Sequence, residues 1–398
     1  MRATVHFARY CQLMEPEALS VTPADKTPVT VLDLFSGAGG LSQGFRQASS
    51  RFRVLRAVEN DPSATATYVA NHGDVVYSGS IEDWLREEPT PPVDLVVGGP
   101  PCQGFSTLGK QDAQDKRNDL WEYYAHTLER AQPKYFLLEN VAVFLKSPQY
   151  VEFLERTISG SLQDYTFVAD VLNAADYGAS QARKRAILLG WRKDVVPARW
   201  PKRTHGPGTW RTVRDALSRV PRVVRDTELP EGEVERGARL YPGPFSSRQL
   251  HLTRNYEPIS VARFAHIPEG GNRFDLPDVL KARCWLNHTS GSGDVMGRLH
   301  WDEPSVTIRT EFFKPEKGRY LHPSEDRAIT HFEAARLQGF PDDYLWIGSK
   351  TSIARQIGNA VPIPLGSALA RAVLSAFDGV DTAQDIEASL PGMAMQGQ

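Results

Sequence analysis

From Val29 onward the chain alternates short apolar runs with glycine turns and helix-like stretches: VTVLDLF, GAGG, LSQGFRQA, FRVLRAVEND, VDLVVGGPP, a helical segment through WEYYAHTLERA, then YFLLENV. Short β-branched runs between helical stretches predict βαβ units and an α/β fold built on a doubly wound parallel sheet. TFVADVLNAADYG and RAILLGWR read as two further strands, a pair at the sheet edge. After Asp194 the alternation stops, because Pro197, Pro201, Pro207, Pro221, Pro230, Pro242 and Pro244 interrupt any long helix. A second, smaller and irregular domain is expected there. A helical pattern returns in HFEAARLQGF, and IARQIGNAVPIPLGSALARAVLSAF closes the ordered chain as a long apolar helix. The expected boundaries are an extension over 1–27, a main domain over 28–196, a small domain over 197–345, a returning segment over 346–380 and a tail over 381–398.

Length and composition narrow the class. With 398 residues, 41% hydrophobic and 24% charged, the chain can bury a core without staples and is not disordered throughout. There is no run of about 18 apolar residues and no secretory pattern at the first residues, so a cytoplasmic protein with no membrane association is expected, working as a monomer. Cys11, Cys102 and Cys284 lie too far apart for a zinc knuckle, so no metal is expected and any working cysteine acts as a thiol. The net charge is −2, yet between 201 and 300 there are 16 Lys and Arg against 11 Asp and Glu, together with five of the ten histidines. That stretch is where a polyanion would be met.

Four segments carry chemistry. In VLDLFSGAGGLSQGF a strand runs into Gly37, Gly39 and Gly40 and then a helix, which lets backbone approach a nucleotide-type cofactor; the spacing is not GxGxxG and argues against a nicotinamide. Glu59 ends the next strand about 20 residues on, where a carboxylate can accept both hydroxyls of a ribose. In GGPPCQGFS, Cys102 leaves the end of a buried strand on a Pro-Pro turn, followed by a polar, basic loop. Glu139 ends YFLLENV, and Arg183 and Arg185, two apart on an extended segment in QARKR, point to one face.

Taken in order, DLFSGAGG, the acid after the second strand, PCQGFS, ENV, QARKR, PSVTIRTEF, RLQGFPDDY and QIGNAVP resemble the DNA (cytosine-5) methyltransferases of bacterial restriction-modification systems, over nearly all of Val29 to Ala376. The resemblance implies a Rossmann-like S-adenosylmethionine-dependent methyltransferase sheet, with the small domain as a target-recognition domain. It implies that Cys102 adds to cytosine C6, that Glu139 contacts N3 and the exocyclic amine, that Arg185 holds O2 and orients Glu139, and that Arg183 braces the catalytic loop or a phosphate. The C5 proton acceptor is left open, and a water is one candidate. Gln103, Ser106, Lys110 and Arg117 would close over double-stranded DNA around a flipped-out base. For S-adenosylmethionine the family pattern carries over to Phe35 beside the adenine, Gly37 and Gly39 in the turn, Glu59 on the ribose, Asn60 beside the adenine, and Pro101, Leu120 and Asn359 around the methionine end.

One departure stands out. Where the family has Asp before Ile, this chain reads Gly79-Ser80-Ile81, so the contact to the adenine amine falls to the Ser80 hydroxyl or a water and cofactor binding is expected to be somewhat weaker. Residues 200 to 297 match nothing that carries over, as in a target-recognition region; Trp210, Arg248, Arg254, Arg263 and Arg283 are base-reading candidates by residue type alone. An RNA (tRNA) cytosine-5 methyltransferase is the rival reading, since one tRNA-directed branch shares the single-cysteine layout. A cognate restriction endonuclease acting separately is a partner that the sequence does not reveal.

Overall fold

The computed structural model describes residues 27–101, 120–286 and 292–379. Seven strands form the main sheet: β1 (Val29–Leu34), β2 (Phe52–Glu59), β3 (Val76–Ser78), β4 (Leu95–Gly98), β5 (Tyr135–Val141), β6 (Tyr165–Asn173) and β7 (Lys184–Arg192). Their order is β3-β2-β1-β4-β5-β7-β6, with the first five parallel and β7 antiparallel to both β5 and β6. The antiparallel pair read from the sequence lies at one edge as expected. The order reverses between β1 and β4, and the carboxyl ends of two strands at such a reversal are where α/β sheets bind ligands.

The central strands β1, β4 and β5 are buried on both faces, which is why they read as continuous apolar runs rather than as alternation. Helices α1 (Gly40–Ala48), α2 (Pro62–His72), α3 (Ile81–Glu87), α4 (Leu120–Ala131) and α5 (Pro148–Ile158) follow the strands. On one face Val31, Leu95, Val97, Leu137 and Leu189 pack under Leu41 and Phe45 of α1. On the other Leu32, Val96, Phe136 and Leu138 meet Trp84, Trp121, Tyr124 and Phe153.

Beyond β7 the chain is irregular, as its prolines dictate. It holds short elements only: α6 (Val213–Leu217), β8 (Glu233–Arg236), β9 (Arg239–Pro242), β10 (Phe245–Ser246), α7 (Pro258–His266), α8 (Arg283–Leu286), β11 (Gly297–Arg298), β12 (Arg319–Leu321), α9 (His331–Gln338) and β13 (Leu345–Trp346). These make two-stranded ladders, β8 with β9, β10 with β13 and β11 with β12. The core of this part joins Leu217, Phe245, Phe312, Tyr344, Trp346 and Ile357, and it reaches Ala38 in the glycine turn after β1.

The expected long closing helix is two helices, α10 (Lys350–Asn359) and α11 (Ile363–Phe377), bent by 41°. Pro362 stands at the N-cap of the second and Pro364 in its first turn, where a missing N–H costs nothing; continuing α10 through Pro362 would remove a backbone bond and clash with the preceding turn. The break lets α11 return to the sheet, where Leu365, Leu369 and Val373 complete the face begun by α1.

Candidate active site

The turn after β1 is held in backbone conformations that side chains disfavour. Phe35 has φ 54°, Gly37 φ 55° and Gly39 φ 89°, and a non-glycine residue in the left-handed region is the kind of strain found at binding sites. A Cβ on Gly39 would fall 2.5 Å from His72 Nε2, whereas one on Gly37 would point into open space. Glu59, at the end of β2, folds back over this turn: Oε2 accepts from the Gly37 N–H at 2.8 Å and Oε1 from the Asp61 N–H at 2.7 Å. Burial pushes its carboxyl above the usual range, against the pull of those backbone donors.

Beneath the turn Asp33 is wholly buried. Its Oδ2 accepts from Ser42 Oγ at 2.6 Å, and that hydroxyl lies 2.8 Å from Tyr68 Oη, while Asp33 Oδ1 and Ser36 Oγ have no partner among the described residues. Burial raises Asp33 to about 7, with nearby Glu59 adding to the rise. Neither Asp33 nor Ser36 was singled out by the sequence reading, although both stand inside DLFSGAGG.

The other cofactor candidates scatter around the same sheet edge. Asn60, Pro101 and Asn359 are exposed, and Phe35 and Leu120 are half-buried. Ile81 is only 3% exposed, packed in the core with Leu34, Val58 and Trp84. The Ser80 hydroxyl, expected to serve an adenine amine, is committed elsewhere: as N-cap of α3 it accepts from the Asp83 N–H at 3.1 Å and donates to Asp83 Oδ2 at 2.8 Å. Serine is a good cap because its short side chain reaches the orphan amides of the first turn, so the helix start claims the group.

Glu139 on β5 lies opposite Ile187 of β7, and Arg185 lies opposite Val141, one step diagonally from Glu139 on the same face. The pair closes with Arg185 Nε 2.8 Å from Glu139 Oε1, the side chains only 15% and 12% exposed. A Cβ on Gly99 would sit 2.8 Å from Glu139 Oε2, so the glycine after β4 is what lets the carboxylate lie against that loop. Buried Asn140 donates from Nδ2 to the Pro100 carbonyl at 3.2 Å and accepts from the Val141 N–H, tying ENV to the Pro-Pro turn. Cys102, Gln103, Ser106, Lys110 and Arg117 lie outside the described residues.

Arg183 lies near enough to Arg185 and Glu139 to feel both charges, but its hydrogen bonds go elsewhere. It is 3% exposed, and Nη1 donates to the carbonyls of Ile308 and Gly358 at 2.9 and 3.0 Å. No phosphate can reach a guanidinium so enclosed; it joins the QARKR strand to PSVTIRT and to the end of α10. Gln181 assists, donating to Gln338 Oε1 at 2.8 Å and accepting from the Ile308 N–H. The extended spacing found the face shared by residues 183 and 185, but not the segments that cover half of it.

Among the base-reading candidates, Trp210 donates from Nε1 to Asp176 at 2.8 Å, and Arg263 donates to the Leu280 carbonyl and lies over Trp285. Both are structural contacts. Arg248, Arg254 and Arg283 are exposed, the first paired with Asp342 and the second donating to the Phe313 carbonyl.

Comparison with known proteins places this arrangement. The pattern of the C-5 cytosine-specific DNA methylase family matches residues 29–375. The type II methyltransferase M1.HphI of Haemophilus parahaemolyticus is 35% identical over 357 residues, covering 87% of each chain. The type II methyltransferase M.AgeI of Thalassovita gelatinovora is 32% identical, covering 86% of this chain and 98% of that one. Among solved structures, a DNA modification methyltransferase encoded within an Escherichia coli prophage superposes with a TM-score of 0.66 at 25% identity, over 88% of this chain and 99% of that one. The Dnmt2 methyltransferase of Schizosaccharomyces pombe shares the fold at a TM-score of 0.53 and 20% identity, over 87% and 98%.

Proposed function

The chain belongs to the C-5 cytosine-specific DNA methylase family and is a DNA cytosine-5 methyltransferase of the restriction-modification type; from that premise we propose that it methylates a flipped-out cytosine within one double-stranded sequence, through a covalent bond from Cys102 to C6. The observation that carries this reading is the Glu139–Arg185 pair, set against Gly99 and the Pro100 turn that leads to the cysteine.

The residues around the first turn suit S-adenosylmethionine. Asp33 Oδ1 and Ser36 Oγ are buried polar atoms with no partner among the described residues, the space beside Gly37 is open, and the Glu59 carboxyl beside it can accept from a ribose hydroxyl. Phe35, Gly37, Gly39, Glu59 and Asn60 would hold the nucleoside, with Pro101, Leu120 and Asn359 toward the methionine. Bound there, S-adenosylmethionine supplies an electrophilic methyl group.

Cytosine C5 is a poor nucleophile on its own. The Cys102 thiolate forms a bond to C6, and the displaced ring electrons make C5 enamine-like. Glu139 accepts from the exocyclic amine and, carrying a proton, donates to N3, and Arg185 donates to O2 while keeping Glu139 in place, so charge gathering on the ring meets preorganised donors. Once C5 has gained the methyl group, at the expense of the cofactor's own sulfur–methyl bond, a base, with water as one candidate, takes the C5 proton, and the cysteine sulfur leaves as the C5–C6 double bond re-forms. A stacked cytosine is out of reach, which requires the base to swing out and Gln103, Ser106, Lys110 and Arg117 to close over the DNA.

Residues 197–345 would carry recognition, with exposed Arg248, Arg254 and Arg283 as contacts to bases or phosphates, and 346–380 would return to the cofactor side. DNA rather than RNA is the substrate in this reading, because the matching family is one of DNA methylases and relatives at 35% and 32% identity are type II methyltransferases, while the Dnmt2 likeness is one of fold. Bisulfite sequencing of DNA from cells expressing the protein tests it. Protected cytosines at one position of a short recurring sequence, absent with Cys102→Ser, are expected; unprotected DNA, or equal protection with Cys102→Ser, would overturn it.

A further inference from the structure

We infer that Tyr344, steadied by His72, is a positioning residue for cofactor binding: it fixes the peptide between Ala38 and Gly39 and so holds the glycine turn in the shape that receives S-adenosylmethionine. The inference rests on the reading above that this turn is the cofactor site. Its ground is a contact between residues 306 positions apart, in which the buried Tyr344 hydroxyl donates to the Ala38 carbonyl. His72 Nε2 lies 3.1 Å from the same hydroxyl. A phenol has one proton, and here it points at Ala38, so the imidazole is the donor in that contact, from Nε2. Burial supports that state, holding His72 down to about 4, with Arg46 nearby acting in the same direction.

The two side chains are themselves anchored. Tyr344 packs against Phe340 and Trp346, with ring centres at 4.8 and 5.1 Å, and its carbonyl accepts from the Ser247 N–H at 2.9 Å. Asn71, beside His72, bonds both backbone groups of Leu345 at 2.8 and 3.0 Å. The α2 end and the Tyr344 segment therefore meet as one support under the turn. His72 and Tyr344 also fill the space that a Gly39 side chain would need, with His72 Nε2 2.5 Å and Tyr344 Oη 3.1 Å from its Cβ position. A trans peptide is planar, so pinning the Ala38 carbonyl also aims the Gly39 N–H, which bonds the Ser36 carbonyl at 2.9 Å and closes the turn. The strained Phe35-to-Gly39 backbone is thereby held from outside, as strain at a binding site requires.

Tyr344→Phe removes the hydroxyl and keeps the ring, so the packing survives. Calorimetric titration with S-adenosylmethionine should give a Kd about five- to tenfold higher, the scale of one neutral hydrogen bond. KM for the cofactor should rise by a similar factor, while kcat at saturating cofactor should stay within about twofold. His72→Phe should act in the same direction, and His72→Gln, which restores an N–H donor, should recover most of the affinity. A purely structural role would lower the melting temperature and leave Kd unchanged, and unchanged Kd in folded Tyr344→Phe and His72→Phe overturns the inference. Glu59→Ala separates the two levels. If it leaves affinity intact, the turn is not the cofactor site and the underlying reading fails; if it abolishes binding while Tyr344→Phe is neutral, only the positioning role fails.

Discussion

Arg183 and Arg185 stand two residues apart on β7 and do different work, because what faces them differs. Arg185 meets a carboxylate, and Arg183 meets two carbonyls in a closed interior. Arg183→Ala would strand both carbonyls without donors, and a loss of about 2–4 kcal/mol in urea-unfolding stability is expected. Arg185→Ala should cost less than that, about 1–2 kcal/mol for the unpaired Glu139 carboxylate, but lose about a hundredfold or more in kcat, since Glu139 would lose its orienting partner. Equal stability losses for the two would contradict the division. Of this site, Glu139, Arg185 and the glycine turn were legible in the sequence because each sits in a short segment that matches the family's order of motifs, and the structure does bring Glu139 and Arg185 together. The Ser80 cap, the enclosure of Arg183 and the Tyr344 contact were not, because each depends on a partner that only the folded chain supplies. For Arg183 and Tyr344 that partner lies more than 100 residues away.

At the level of elements, the central strands were readable because burial on both faces leaves continuous apolar runs, the short edge strand β3 went unread, and the closing helix was misread as one element. There Pro362 signalled a break that the surrounding apolar periodicity concealed. The pairing of α1 with α11 was not visible either. It depends on a close approach in which a Cβ on Gly44 would lie 2.9 Å from Ser367 N and 3.0 Å from Gly366 Cα. Gly44→Ala therefore tests the contact. Alanine favours a helix over glycine by about 1 kcal/mol, yet the new methyl group would press on backbone that has little room to move, at a cost of about 1–3 kcal/mol. A lower melting temperature is expected, and a higher one would mean that α11 sits further from α1 than the structure has it.

Over the whole molecule, the later part of the chain roofs the glycine turn, since one core runs from Ala38 through Phe245 and Tyr344 to Ile357. That enclosure sets the acid response. His72, His322 and His331 are each held down to about 4 by burial, so unfolding below about pH 6.5 takes up protons that the folded state refuses. Stability from these groups is present above that pH and is lost as pH falls toward 4. Asp33, raised to about 7, and Glu59 oppose this, because their folded carboxyls keep protons that the unfolded chain gives up, while the lowered carboxyls of Glu333 and Asp94 add to the acid loss. Urea unfolding should show lower stability at pH 5 than at pH 7, and equal or higher stability at pH 5 would contradict that balance. The central claim is that Cys102 attacks C6 of a cytosine in DNA, and covalent trapping tests it most directly. Duplex DNA carrying 5-fluorocytosine at the methylated position cannot release its C5 substituent as a proton, so the bond to sulfur should persist. With S-adenosylmethionine present, the wild type should give a complex that survives denaturation, and Cys102→Ser should give none. No trapped complex from an enzyme that methylates the unmodified duplex, or equal trapping by Cys102→Ser, would contradict the account.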